Sequence, residues 1–325
     1  MTAFPPDLSD RPRGEWLAAL RKLGQQRGFA RPLGHAHAAI LIEEGDTLLV
    51  SFESMSAVEA LSTTRTPLGF DMVNSEGWSC LSMLSHGDTW FRAPEVYAFF
   101  DQLTDEGFFD QYHRVIFQGA GPSGYAAAAF SVAAPGARLF LIQPQATLDP
   151  RRAGLDDRFL ADRRRDFTSR YGFAPDMVSG AGHASVLYDP YQRCDAMHAA
   201  LFHGPNVTHH QMPHFGGTLM NDLLELDLWV PLLVAEASGR LDTAAFAVAL
   251  RARRDHLAYL RKLLAFLDSR ERTALSRQLC EHVLARQDVP RFRRRLDQIL
   301  AAQGAGSARD DADHVHAPAP RSSTG

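Results

Sequence analysis

The stretch Arg114-Val-Ile-Phe-Gln-Gly119-Ala-Gly121-Pro-Ser123-Gly-Tyr125-Ala-Ala-Ala-Ala-Phe130 constrains this chain more than any other. A short apolar run ends in closely spaced glycines, and an unbroken segment of small apolar residues follows. Such a pattern predicts a buried strand entering a tight turn and then a helix. The alternation continues downstream with a strand over 137–143, a helix over 155–170, a strand over 184–188 and a last strand over 206–212. Upstream, residues 38–52 predict two strands joined by an Asp/Gly turn, an edge hairpin, followed by a strand over 78–84 and an amphipathic helix over 95–107. Near-continuous apolar strands separated by helices of crossover length predict an α/β fold: a three-layer parallel sheet covered on both faces.

Helical spacing from Glu15 to Gln26 sets residues 1–35 apart as an N-terminal helical extension, with the α/β domain over 36–235. After Thr218 the repeated spacings are helical only, so 240–303 predicts a helical appendage. From Gly304 the chain is dominated by Ala, Gly, Ser, Asp, His and Pro, which cannot bury enough apolar area to offset ordering; 304–325 is expected as a disordered tail. With 22% charged residues and a net charge of -4, the chain offers no electrostatic basis for nucleic acid as a partner. No apolar stretch has the length to cross a bilayer, and the start lacks a basic segment followed by an apolar run, so a cytoplasmic protein without membrane insertion is expected. Cys80, Cys194 and Cys280 lack paired ligand spacing, and His35 and His37 could meet His214 only by an accident of the tertiary fold, so no metal is expected.

In a nucleophile elbow, a strained strand-to-helix turn presents a nucleophile to backbone N–H groups that stabilise an oxyanion, in the pattern Gly-x-nucleophile-x-small. In that register residues 119–123 place Gly121 at the nucleophile position, and glycine has no oxygen or sulfur with which to attack. Ser123, just beyond Pro122, is the neighbouring hydroxyl; it can act as nucleophile, as ligand contact or as a hydrogen-bonding group at the helix start. Gly119, Gly121 and Gly124 also offer N–H groups at a positive helix end, an arrangement that can cradle an anion. No dinucleotide cofactor is expected, because Gln143 and Gln145 follow the next strand where a ribose-binding carboxylate would stand. Arg151, Arg152, Arg158, Arg163, Arg164 and Arg165 form either a solvated helix surface or a lid for an anionic ligand.

Four stations together carry a resemblance: Gly119 to Tyr125; Gln143-Pro-Gln145-Ala-Thr-Leu-Asp149-Pro150; Leu187-Tyr-Asp189-Pro190 with Asp195 and His198; and Met212-Pro-His214-Phe-Gly-Gly-Thr218. Over residues 36–235 the chain resembles a group of bacterial α/β-hydrolase-fold proteins, some of them attached to glycan-related enzymes, whose elbow reads Gly-x-Ser-x-Gly-Gly-Tyr. The resemblance implies an acid at Asp189, or at Asp195, and a general base at Gly217 or Thr218, neither of which can shuttle a proton; His214 lies a few positions early. It implies a catalytically degenerate hydrolase-like protein that binds a small or anionic ligand or acts in glycan-related metabolism, with Gly119, Gly121, Gly124, Tyr125, Gln143 and Gln145 at the ligand. The alternatives are a serine esterase or thioesterase using Ser123, His214 and Asp189, and a structural or protein-interaction scaffold. The phosphoadenosine phosphosulfate reductase pattern is not met, since Cys280 sits in Leu279-Cys-Glu-His282 without the Ser-Gly-Gly-x-Asp-Ser loop upstream. The oligomeric state stays open.

Overall fold

Eight strands form one sheet: β1 (Gly28–Leu33), β2 (His37–Ile42), β3 (Thr47–Ser54), β4 (Ser79–Ser85), β5 (Arg114–Ala120), β6 (Arg138–Ile142), β7 (His183–Tyr188) and β8 (Val207–Gln211). Their spatial order is β1-β2-β4-β3-β5-β6-β7-β8 in the computed structural model, which describes residues 4–315. The β1–β2 and β2–β4 pairs are antiparallel, and every other pair is parallel. This is the α/β-hydrolase order, with the glycine turn placed directly after the central strand β5.

The helices α1 (Arg13–Arg27), α2 (Met55–Leu61), α3 (Gly69–Glu76), α4 (Pro94–Asp105), α5 (Pro122–Phe130), α6 (Pro150–Ala153), α7 (Ala174–Val178), α8 (Arg193–Leu201), α9 (Leu219–Glu225), α10 (Trp229–Ala237) and α11 (Thr243–Ala249) complete this part of the chain. One face of the sheet packs Val96, Phe99 and Phe100 of α4 and the whole run Tyr125 to Phe130 of α5 against Val50, Phe52, Phe117 and Leu139. Trp16 and Leu20 of α1, Val58 of α2 and Phe70 and Val73 of α3 cover Ile40, Ile42 and Cys80 on the other face. Three layers result, as the alternation of strands and helices predicts.

Two local expectations fail for identifiable reasons. The hairpin expected over 38–52 does not form, because β4 inserts between β2 and β3, antiparallel to one and parallel to the other. Every residue of β2 is buried, and β1 and β4 supply partners along both of its edges. The sheet edge falls instead on β1, where Pro32 is tolerated, so the sheet begins at Gly28, inside the stretch expected as an N-terminal extension. The helix expected over 155–170 is also absent, and the segment holds only a short 3-10 turn at Asp162–Arg164. Its acidic side chains bind nearby backbone instead: Asp156 Oδ1 accepts the Arg158 N–H at 3.0 Å and Asp166 Oδ1 accepts the Thr168 N–H at 2.7 Å. Such local bonds compete directly with the helical ladder.

Glu53, at the end of β3, is a buried acid that ties the sheet to α3. Its carboxylate accepts the Leu68 N–H at 3.1 Å and the Ser51 hydroxyl at 3.1 Å. Burial pushes the carboxyl up to about 7 against the pull of these hydrogen bonds. A raised acid binds its proton more tightly in the folded state, so its contribution favours folding at low pH and is lost as pH rises from the ordinary 4.5 through about 7. Glutamine at this position cannot ionise. The stability of the wild type relative to Glu53→Gln should therefore decline over that interval by up to roughly 3 kcal/mol in urea titrations; a difference that stays flat with pH refutes this assignment.

The chain divides at Arg253/Arg254 into two compact units. The second holds α12 (Leu257–Ser269), α13 (Thr273–Leu284) and α14 (Pro290–Val315), with Leu260, Leu264, Cys280, Val283, Phe292 and Ile299 buried. It forms the C-terminal helical part of the expected fold. Asp268 pins the three helices, accepting from the Ser276 hydroxyl at 2.8 Å and pairing with Arg295 at 2.9 Å. The backbone of α14 continues through the first part of the expected tail to Val315, while 316–325 lies outside the described residues. Among the described residues no helix is long and apolar enough to cross a membrane.

Candidate functional site

The turn after β5 has the backbone of an elbow. Gly121 adopts φ 57 and ψ -125, a conformation that L side chains enter only under strain. Its N–H donates to Ile142 O at 2.9 Å and its carbonyl accepts the Tyr125 N–H at 3.0 Å, so both ends of the turn are anchored. A Cβ added at Gly121 would meet only Gln145 Oε1, at 3.9 Å. The backbone shape that presents a nucleophile is thus present with room for one, and the residue there is glycine. The following residue, Pro122, has no N–H to offer an oxyanion.

The other glycines allow close packing. A Cβ at Gly119 would stand 2.3 Å from Ser123 O, and one at Gly124 would stand 3.1 Å from both Gly119 O and Pro144 Cα. These two positions let α5 lie directly on β5. Ser123 is half-buried in the first turn of α5. Tyr125 is fully buried, and its hydroxyl donates to Tyr171 O at 2.5 Å while accepting from Arg92 at 2.7 Å. Burial raises this phenol well above its ordinary value, so it is a neutral clamp on the loop before α7.

The two glutamines divide sharply. Gln143, with φ 46 at the end of β6, donates through Nε2 to Asp195 Oδ2 at 2.5 Å and to Gly216 O at 3.2 Å, and accepts the Leu219 N–H at 3.0 Å. Its side chain is committed to holding three segments together. Gln145 is 3% exposed, and its Oε1 has no hydrogen-bond partner.

Asp189 follows β7 and is completely buried. Its Oδ1 accepts the Tyr191 N–H at 2.9 Å and its Oδ2 accepts the Gly216 N–H at 2.7 Å. The carboxylate therefore orders the loop after β8 through backbone, not through an imidazole. His214 lies in that loop with φ 69, its ring stacked on Tyr191 at 4.2 Å between centroids. Burial lowers its pKa, with the charge of Asp189 pulling the other way. The structure brings Asp189 and His214 into one loop cluster and Gly121 and Gln145 into another contact. Among the described residues no hydrogen bond joins Ser123 to Asp189 or His214.

Asp195, His198 and Arg158, each singled out in the sequence for another role, join Asp156, which was not, in a buried polar web. The Ala146 N–H donates to His198 Nδ1 at 3.1 Å, which leaves the ring proton on Nε2 to donate to Asp156 Oδ2 at 2.9 Å. Arg158 grips both oxygens of Asp156 and reaches Asp195 Oδ1 at 2.6 Å. Burial alone would raise the Asp156 carboxyl, but the hydrogen bonds from His198 and Arg158 outweigh it and hold it far below the usual range. Asp156, Asp157 and Cys194 place ligand atoms within 4.8 Å of one another, yet the guanidinium seated on Asp156 opposes a cation there. Several arginines of the stretch read either as solvated surface or as an anion-binding lid have partners of their own: Arg151 grips Asp149, Arg163 grips the Asp156 carbonyl, and Arg152 lies over Phe173 at 4.0 Å.

No protein-family model matches this chain, and no curated protein matches it. Solved structures similar to it include carboxyl esterase 2 from the fungus Tuber melanosporum, at 14% identity over 68% of this chain and 83% of that one, with a TM-score of 0.40. A hyperthermophilic esterase from the archaeon Pyrobaculum calidifontis is similar at 15% identity over 72% of this chain and 89% of that one, TM-score 0.39. The capsule O-acetyltransferase of Neisseria meningitidis serogroup A shares 9% identity over 64% of this chain and 99% of its own, TM-score 0.39. The strand order and the elbow, not these distant likenesses, carry the fold.

Proposed function

We propose that this protein is a catalytically degenerate α/β-hydrolase-like protein that binds a small ligand at its elbow rather than cleaving an ester. The observation that carries this reading is Gly121 itself, held at φ 57 and ψ -125 with nothing nearer than 3.9 Å to a Cβ. Three roles are vacant together: the nucleophile at Gly121, the following N–H at Pro122, and an imidazole at Gly217 or Thr218. Members of a catalytic triad act as a unit, so losing one nucleophile or base already lowers turnover by on the order of a millionfold. The serine-esterase alternative would need Ser123 and His214 to work with an Asp189 whose oxygens both serve backbone N–H groups. An anionic ligand is disfavoured because Arg158 and Arg151 already hold carboxylates. A role in glycan-related metabolism is compatible with a small neutral ligand.

The test is hydrolysis of p-nitrophenyl acetate, p-nitrophenyl butyrate and acetyl-CoA by the wild type, Ser123→Ala and His214→Ala. All three proteins are expected to match the buffer rate. Turnover by the wild type that disappears in both folded variants would overturn the reading in favour of the esterase.

A further inference from the structure

We infer that the space left by the missing nucleophile side chain at Gly121 receives a hydroxyl group of a neutral, hydroxyl-bearing small molecule, so that the ligand supplies the hydroxyl which the chain lacks. The inference rests on the reading of the elbow as catalytically degenerate and names the class of ligand it takes.

Two groups flank the turn at Gly121. On one side stands Gln145 Oε1, a buried acceptor without a donor, 3.9 Å from where a Gly121 Cβ would be. Buried acceptors are nearly always satisfied, and one left without a partner calls for a donor. On the other side α5 begins. The Gly121 N–H is spent on Ile142 O, Pro122 has none, and Ser123 therefore brings the first N–H of the helix that no intrahelical acceptor claims, together with its hydroxyl. The positive end of the helix dipole favours an oxygen acceptor there.

A group between these two must donate toward Gln145 and accept from the start of α5. A neutral hydroxyl does both through a single oxygen. A carboxylate or phosphate accepts only, and would set a negative oxygen against Oε1. An ammonium donates only, and would face a positive helix end. Two arginines that could hold an anion are also committed, Arg158 on Asp156 and Asp195 and Arg92 on the Tyr125 hydroxyl and Arg170 O.

The experiment uses the full-length protein with glycerol, myo-inositol and N-acetylglucosamine as neutral probes and phosphate and acetate as anions, read by thermal unfolding and saturation-transfer NMR. The wild type should show a saturable rise in Tm and a transfer signal with at least one neutral probe. Gln145→Met keeps the volume and removes the acceptor; it should lose affinity by about ten-fold or more while its ligand-free Tm stays at or above that of the wild type, since the unsatisfied acceptor is gone. Gly121→Ser places its own Oγ in the space and should likewise abolish binding, which keeps the test decisive if Gln145→Met folds poorly. Saturable binding of the anions alone, binding by both folded variants equal to that of the wild type, or no saturable binding of any neutral probe overturns the inference. Ester turnover abolished by Ser123→Ala would instead sink the reading beneath it, whatever the neutral probes do.

Discussion

Alanine at Gly119 should destabilise the fold by about 3 kcal/mol or more, a large share of the roughly 5–15 kcal/mol that separates a native domain from its unfolded chain. The added methyl would stand 2.3 Å from Ser123 O, 2.5 Å from Ser123 C and 2.9 Å from Gly124 N. All three are backbone atoms, so no rotamer change relieves the overlap. Strand β5 cannot retreat, because Gly119 is paired with Phe52 of β3 on one side and Leu141 of β6 on the other. Helix α5 must therefore lift, and with it the buried run Tyr125 to Phe130 that fills one face of the core. Gly180→Ala is the control: its Cβ would meet only Met177 O at 3.9 Å, and its effect should stay within about 0.5 kcal/mol. Urea unfolding of the two variants decides the matter, and a Gly119→Ala protein as stable as the control would show that α5 does not bear on β5 as described.

Loss of the Arg158 guanidinium is the second large effect expected. Asp156 and Asp195 have side chains only 0% and 1% exposed, and Arg158 is the cation paired with both. Arg158→Met keeps much of the apolar stem and strands two carboxylates, a change that costs about 3–5 kcal/mol for a buried pair; with Arg158 itself 36% exposed, the lower end is expected. The pH dependence has a definite sign. The Asp156 carboxyl is held below its unfolded value by the His198 and Arg158 hydrogen bonds, so the stabilisation is present above the ordinary carboxylate range and is lost as pH falls through the depressed folded value. The deficit of Arg158→Met relative to the wild type should therefore be full near neutrality and shrink in acid. Proteolysis should open the segment between β6 and β7 first, since that segment is held to α8 through Arg158 and His198. A variant that unfolds at the wild-type urea concentration, or a deficit that grows in acid, would contradict the assignment.

The site was legible in the sequence to the extent that its chemistry is local. Gly-x-Gly-x-Ser read as an elbow with an empty nucleophile position, and the backbone at Gly121 has the elbow shape, because a residue's own type and its immediate neighbours largely set φ and ψ. Tyr125 and Gln143 are different. Tyr125 stood beside the elbow in the sequence and Gln143 just after the next strand, yet their polar atoms are consumed by Tyr171, Arg92, Asp195, Gly216 and Leu219, partners between 33 and 76 positions away. No periodicity encodes such pairings.

The order of apolar runs and breakers determined by itself that this chain builds a layered α/β sheet with a glycine turn at a strand end, and the bare residue types determined that glycine stands at the elbow's nucleophile position. Hydrophobic period and glycine's conformational freedom are properties of a few adjacent residues, which is why they survive reading in one dimension. Only the tertiary structure decided that β4 separates β2 from β3, that local Asx bonds and the Arg158 web replace a helix after β6, and that Gln145 faces the vacant elbow with an unanswered acceptor. These depend on which distant groups share a buried volume, where each polar atom must find a partner or go without, and that competition is settled only when the whole sheet has closed over them.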